Sequence, residues 1–246
     1  DYDKDSHQGL ISKIGNFAIY SPREYFGLTE IYNAEYYKIL YEVTEIIRNN
    51  IPSHEVFSQL DHEIGLEGKS KVMNTIESDF HGGEDPKIID LRNKVKKMMN
   101  ETQDYISGLP LFPGHRDPNP NNYKITHEGE KISISLVDWE TFGLSRRGYE
   151  EGRFMACLAL DVSKQNDYAN FIADNLNKNE LIYFWRTVSA RTLHEIASVL
   201  HGLYDARLIP TVKNIDEVQQ QKQQLVVAFN DLANKALNEI SILIKQ

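Results

Sequence analysis

The sequence has a single cysteine, no excess of basic charge and no long apolar run, and each shortage closes off a class of protein. A lone thiol, Cys157, cannot build an intrachain disulfide framework or a thiolate zinc site, and it fits a reducing, cytoplasmic compartment. The longest apolar run, Phe154 to Leu160, is 7 residues against the ~20 that span a bilayer, and no basic-then-apolar leader opens the chain. Neither membrane insertion nor secretion is expected. With 27 Lys and Arg against 36 Asp and Glu, the net charge of −9 repels phosphate backbones, so no nucleic-acid partner is expected. That charge suits solubility, and it would also suit a cationic small molecule. What is present, 41% hydrophobic and 26% charged residues over 246 positions, describes a globular chain of one large or two small domains.

Periodicity divides the chain into two helical blocks around a short β segment. Residues 1–16 read as a flexible segment, and Phe17 and Ile19 alternate as a short strand that stops at Pro22. Tyr32, Tyr36, Leu40, Val43 and Ile47 recur at steps of three and four and predict a helix closed by Asn49, Asn50 and Pro52. Val56 to Ile64 predicts a shorter helix, and Ile88 through Tyr105 a long one that starts after Pro86 and closes at Gly108. The helical period then stops. Pro110, Pro113, Gly114, Pro118 and Pro120 punctuate a loop, and Tyr123–Ile125 and Ile132–Val137 alternate as two strands about a turn at residues 127–131. Helical spacing resumes after Gly148 through Phe154, Leu158 and Val162, then Leu181 to Thr192, then Leu225 to Ile240. The glutamines at 219–224 read as a solvated helix face.

Most familiar catalytic signatures fail. Residues 65–70, GLEGKS, end like a phosphate-cradling loop, but Glu63 stands where that loop needs its first glycine, and a helix terminus explains the same letters. His54 and His62 are not at metal-ligand spacing, and Cys157 on an apolar face reads as packing. The informative stretch is the non-helical interruption. Residues 114–122, GHRDPNPNN, place His115, Asp117 and Asn122 on one proline-stiffened loop, and the hydrophobic strand that follows ends at Asp138. Phosphoryl transfer needs a carboxylate to take the proton of an attacking hydroxyl and separate hard oxygen ligands to hold magnesium. An Asp followed five positions later by Asn supplies a base and an amide oxygen on one loop, and a second Asp on a neighbouring strand adds the other metal ligand. Either half alone is most simply read as turn residues; together, across a predicted hairpin, they form a site.

His115, Asp117, Pro120 and Asn122 followed by Asp138, Trp139 and Glu140 resemble the catalytic loop and metal-binding segment of the aminoglycoside phosphotransferase and choline kinase superfamily, which shares the protein-kinase fold. The pattern of that superfamily is His-x-Asp-x-x-x-x-Asn, then a hydrophobic strand ending Asp-Trp/Phe-Glu. The resemblance implies that Asp117 is the catalytic base, that Asn122 and Asp138 hold Mg2+, and that His115 braces the loop. Residues 143–153, GLSRRGYEEGR, are similar to the turn and helix that follow the metal Asp, with Glu150 where an Asp is usual. Arg116 and Pro118 stand where Gly and Leu are commoner.

The fold class expected is therefore mainly α with a small β-hairpin, the C-terminal lobe of a kinase-like fold over residues 17–246. Its catalytic loop is 114–122, its metal-binding strand end 132–140 and its helical part 145–246. The resemblance also implies a β-rich N-terminal lobe with a glycine-containing loop and a strand lysine over the nucleotide, which the largely helical pattern upstream of His115 does not supply. That lobe is expected in a longer parent protein. Two functions follow. In one, the chain is the catalytic lobe of a small-molecule kinase moving the γ-phosphate of ATP or GTP to a hydroxyl of an aminoglycoside-like or amino-alcohol acceptor, weakly active or inactive in isolation. In the other, it is a non-catalytic substrate-binding or regulatory module. Glu150, Glu151 and Asp161 read either as an attraction for an amine on the acceptor or as ordinary surface charge.

Overall fold

A computed structural model of the chain describes residues 34–51, 86–118, 122–128, 131–136, 142–200 and 215–246. The strand expected at 17–20, the helix at 56–64, the GLEGKS stretch, His54, His62 and the segment Asp138–Glu140 lie outside the described residues. Helix α1, Ala34–Asn50, buries Leu40, Val43 and Ile47, as its spacing predicts, and also Tyr37, which the spacing did not include; Tyr32 and the Tyr36 side chain lie outside what is described. It closes where Asn50 Nδ2 donates to the Ile46 carbonyl at 2.8 Å, just before Pro52.

The long helix expected over 88–105 is two helices. Helix α2, Pro86–Glu101, buries Ile88, Leu91, Val95, Met98 and Met99, and α3 is Gln103–Ser107. The break falls at Thr102, whose hydroxyl donates to the Met98 carbonyl at 2.8 Å. Arg186, buried and reaching in from a later helix, donates to the Thr102 hydroxyl at 3.3 Å and to Gln103 Oε1 at 3.1 Å. Burial of that guanidinium lowers its pKa to about 10.

Four short strands follow among the described residues. β1, Phe112–Gly114, pairs antiparallel with β4, Gly143–Ser145, in the register Phe112 to Ser145 and Gly114 to Gly143. The alternation rule missed both because each has three residues, and Pro113 is tolerated in a two-stranded pair that is all edge. β2, Tyr123–Glu128, and β3, Lys131–Leu136, form the expected hairpin, with Tyr123 opposite Leu136.

The rest of the described chain is mainly helical: α4 Tyr149–Cys157, α5 Val162–Ala173, α6 Lys178–Leu200 and α7 Ile215–Lys245. Phe154, Leu158 and Val162 do not continue one helix as their spacing suggested. α4 ends at Cys157, Asp161 caps α5 by accepting from the Lys164 backbone N–H at 3.0 Å, and Val162 is 65% exposed. Cys157 is likewise exposed and not packed as expected. α6 begins in a capping box: Asn177 Oδ1 accepts from the Glu180 N–H at 3.1 Å, and Glu180 Oε2 accepts from the Asn177 N–H at 2.9 Å. α7 lays Phe229, Leu232, Ala236 and Ile240 against α6, while Gln219 and Gln224 stay exposed as read. Rings of Tyr37, Phe154, Tyr168 and Phe184 meet edge-on or tilted at 5.2 to 6.4 Å and join α1, α4, α5 and α6 in one core. No helix among the described residues is long and apolar enough to cross a membrane.

Candidate active site

The β1–β4 pair is the platform from which the Asp117 loop hangs. Gly114 ends β1, and a Cβ there would lie 1.9 Å from Glu150 Oε1, so only glycine lets the strand pass under that carboxylate. Glu150 accepts from the Ser145 hydroxyl at 2.6 Å and from Arg48 Nη2 at 2.7 Å. Glu151 accepts from Arg48 Nη1 at 2.7 Å and from the Gly148 N–H at 2.9 Å. Arg48, whose side chain is 0% exposed, is held further by Glu45 at 2.8 Å, and Arg147 pairs with the other oxygen of Glu45. These contacts tie α1 to α4 and to the platform.

Electrostatics favour the charged forms of Arg48 and Glu151. Burial alone would lower the Arg48 pKa, but Glu151 and Glu150 outweigh it and hold it well above its ordinary value. Burial alone would raise the Glu151 carboxyl, and Arg48 outweighs that, leaving it below 4.5. The reading of Glu150, Glu151 and Asp161 as an amine-attracting group is thereby corrected. The two glutamates are buried and spent on Arg48, and Asp161 caps a helix.

Past Gly114 the loop folds on its own polar groups. His115 is buried and its Nδ1 bonds the Asp117 carbonyl at 3.1 Å; a carbonyl only accepts, so that nitrogen carries the proton. Asn122 Nδ2 donates to the same carbonyl at 2.9 Å and to Asp117 Oδ2 at 3.2 Å. The backbone of Asp117 is thus clasped from two sides. Between them Arg116 adopts φ +64°, a left-handed conformation that costs a residue with a Cβ roughly 1 kcal/mol and glycine almost nothing. Burial lowers the Arg116 pKa, and its Nη1 is buried with no hydrogen-bond partner.

One participant was not singled out in the sequence. Arg153, on α4, reaches across the platform and places Nη2 2.5 Å from Asp117 Oδ1. Its Nη1 donates to the Tyr149 hydroxyl at 3.2 Å, one turn back on the same helix. The pair lies 20% and 25% exposed, at the surface edge of the platform. Helical phase was the available signal: with Glu150, Glu151 and Phe154 turned inward, Tyr149 and Arg153 fall on the opposite face.

For a metal, Asn122 offers a suitable donor. Its amide nitrogen is committed to Asp117, which leaves a hard carbonyl oxygen of the kind magnesium takes. The second expected ligand, Asp138, lies outside the described residues, two positions beyond the strand end that is registered opposite Tyr123. Among the described residues no three His, Cys, Asp or Glu side chains are grouped to hold an ion.

No family model and no curated protein matches the chain. Solved structures do. Plasmodium vivax ethanolamine kinase superposes with a TM-score of 0.54 at 11% identity, covering 93% of this chain and 71% of that one. A spectinomycin phosphotransferase, APH(9)-Ia, in complex with ADP and spectinomycin, matches with a TM-score of 0.44 at 12% identity, over 87% and 69%. The likeness to the ethanolamine kinase is one of fold: this mainly helical chain with its antiparallel hairpin has the kinase-like architecture that the motif resemblance implied.

Proposed function

We propose that the chain is the catalytic lobe of a small-molecule kinase that transfers the γ-phosphate of ATP or GTP to a hydroxyl group. The observation that carries this reading is the clasp of His115, Asp117 and Asn122 at the end of β1, in a fold shared with an ethanolamine kinase. A loose phosphoryl-transfer transition state asks the protein mainly for position and charge, and a doubly hydrogen-bonded backbone at Asp117 provides position. Asp117 takes the proton of the acceptor hydroxyl through one of the lone pairs that its two neighbours leave free. Asn122 and Asp138 would hold Mg2+, which, when bound, neutralises charge on the phosphates. His115 fixes the loop from below.

The acceptor in this reading is a hydroxyl compound of amino-alcohol or aminoglycoside type, and the name of the similar ethanolamine kinase is in keeping with the amino alcohol. Its amine is not met by Glu150 or Glu151, which are spent on Arg48.

The test is transfer from Mg-ATP and Mg-GTP to a panel of amino alcohols and aminoglycosides by the wild-type chain and by Asp117→Asn. Removing the base should lower the transfer rate by about 10²–10⁴ and leave nucleotide affinity unchanged in calorimetry. An Asp117→Asn chain as active as the wild type removes Asp117 from the role of base. Acceptor binding with no binding of Mg-ATP or Mg-GTP favours the non-catalytic module.

A further inference from the structure

The Asp117 clasp leaves one thing unfixed. His115 and Asn122 both bond the carbonyl of Asp117, so they hold its backbone, whereas among the described residues of the loop its carboxylate receives only the second, longer bond of Asn122 at 3.2 Å. A carboxylate on one such bond can turn about its side-chain torsions, and a base that turns loses its aim at the hydroxyl.

The stronger hold comes from outside the loop. Arg153 Nη2 sits 2.5 Å from Oδ1, and the arginine is itself fixed on several sides. Its other prong, Nη1, is on the Tyr149 hydroxyl at 3.2 Å, and its guanidinium carbon lies 5.8 Å from the centre of the Tyr149 ring. Tyr149 in turn stacks on Tyr183 of α6, with centroids 6.4 Å apart and planes 26° apart. Helix α4 lies directly on α6: a Cβ on Gly148 would come 2.6 Å from the Glu180 carbonyl oxygen, and one on Gly152 would come 2.6 Å from that of Phe184. Gly148 also has φ +97°, which a larger residue resists. The guanidinium that touches the carboxylate is therefore carried by a helix packed closely on α6, and a planar fork fixes the directions of both its bonds, which a freely rotating ammonium does not.

We propose that Arg153 is a positioning residue, which sets the rotation of the Asp117 carboxylate so that a free lone pair faces the acceptor hydroxyl, with Tyr149 and the α4–α6 contact holding Arg153. Its consequence for turnover rests on the kinase reading above; the placement of the carboxylate does not.

The experiment joins kinetics on the full chain with crystal structures of wild type, Arg153→Gln and Arg153→Lys. Arg153→Gln should lower kcat by about 10²-fold, the loss that an ångström of misplacement causes, with the KM for ATP and the melting temperature unchanged. Arg153→Lys should recover part of that loss, and Tyr149→Phe should cost less than Arg153→Gln, in the same direction. In the crystals the Asp117 carboxylate should keep its rotamer in wild type and Arg153→Lys and leave it in Arg153→Gln. Wild-type kcat in Arg153→Gln, or a carboxylate unmoved in that variant, overturns the proposal. A wild-type chain that binds neither Mg-ATP nor Mg-GTP sinks the kinase reading, and the crystals then still decide whether Arg153 places the carboxylate.

Discussion

Helix α4 carries two ionic clusters within one turn, and they differ in almost everything except charge. On its inner face Glu150 and Glu151, each 3% exposed, close on Arg48, which is fully buried. On its outer face Arg153 meets Asp117 with both partners at least a fifth exposed. The inner cluster uses nearly all its capacity: Arg48 binds three glutamates, and those glutamates take up Ser145, Gly148 and Arg147 besides. The outer pair is incomplete, since among the described residues each Asp117 oxygen has one partner and room for another. A carboxylate saturated with donors is a rivet. One with a lone pair to spare can do chemistry.

Breaking the inner cluster should cost the most. Arg48→Ala leaves two buried carboxylates without their cation, and removing one member of a buried ion pair costs about 3–5 kcal/mol. Urea denaturation of the variant should show that loss, and an unchanged midpoint would mean that α1 is held by its apolar face alone. An intermediate effect is expected at Gly152, which lies between the two clusters. Gly152→Ala drives a Cβ to 2.6 Å from the Phe184 carbonyl oxygen and 2.7 Å from the Thr187 Cβ, and overpacking of this kind costs about 1–3 kcal/mol. Because α4 carries both clusters, the same variant should slow transfer. Lost stability with wild-type transfer would show that the helix contact does not govern the reach of Arg153.

The difference between the clusters also explains what could be read from sequence. The fold was legible where periodicity is strong: Leu40, Val43 and Ile47 of α1 and Phe229, Leu232, Ala236 and Ile240 of α7 are buried where their spacing put them. The hairpin followed from alternation, and the Asp117 loop from residue types at a fixed spacing. Illegible were features made by non-local contact. A helix broken at Thr102 depends on Arg186 arriving from 84 residues away. The strand Phe112–Gly114 exists only because Gly143–Ser145 returns to it. Glu150 and Glu151 looked like free surface charge because their partner, Arg48, is about a hundred residues upstream, and the same blindness hid Arg153, 36 residues from Asp117. Local letters specify turn chemistry and a candidate base. Which charges are spent and which remain available is decided by packing.

The smallest expected effect separates the clusters by acid titration. Glu151 has its carboxyl held below the ordinary 4.5 in the folded chain, chiefly by Arg48 working against burial. A depressed folded pKa contributes stability that is fully present above the unfolded value and is lost as pH falls through the folded one, because the unfolded chain takes up the proton first. Stability of the wild type should therefore decline on going below pH 4.5, with Glu151 adding at most about 1.4 kcal/mol per pH unit. Glu151→Gln starts from lower stability but should have a shallower slope in that window, since one proton-linked group is gone. Urea midpoints at several pH values between 3 and 6 measure the difference. Parallel slopes in the two proteins would place the acid sensitivity elsewhere and would mean that the inner cluster is held by its hydrogen bonds whatever its protonation, which would erase the main distinction between it and the pair at Asp117.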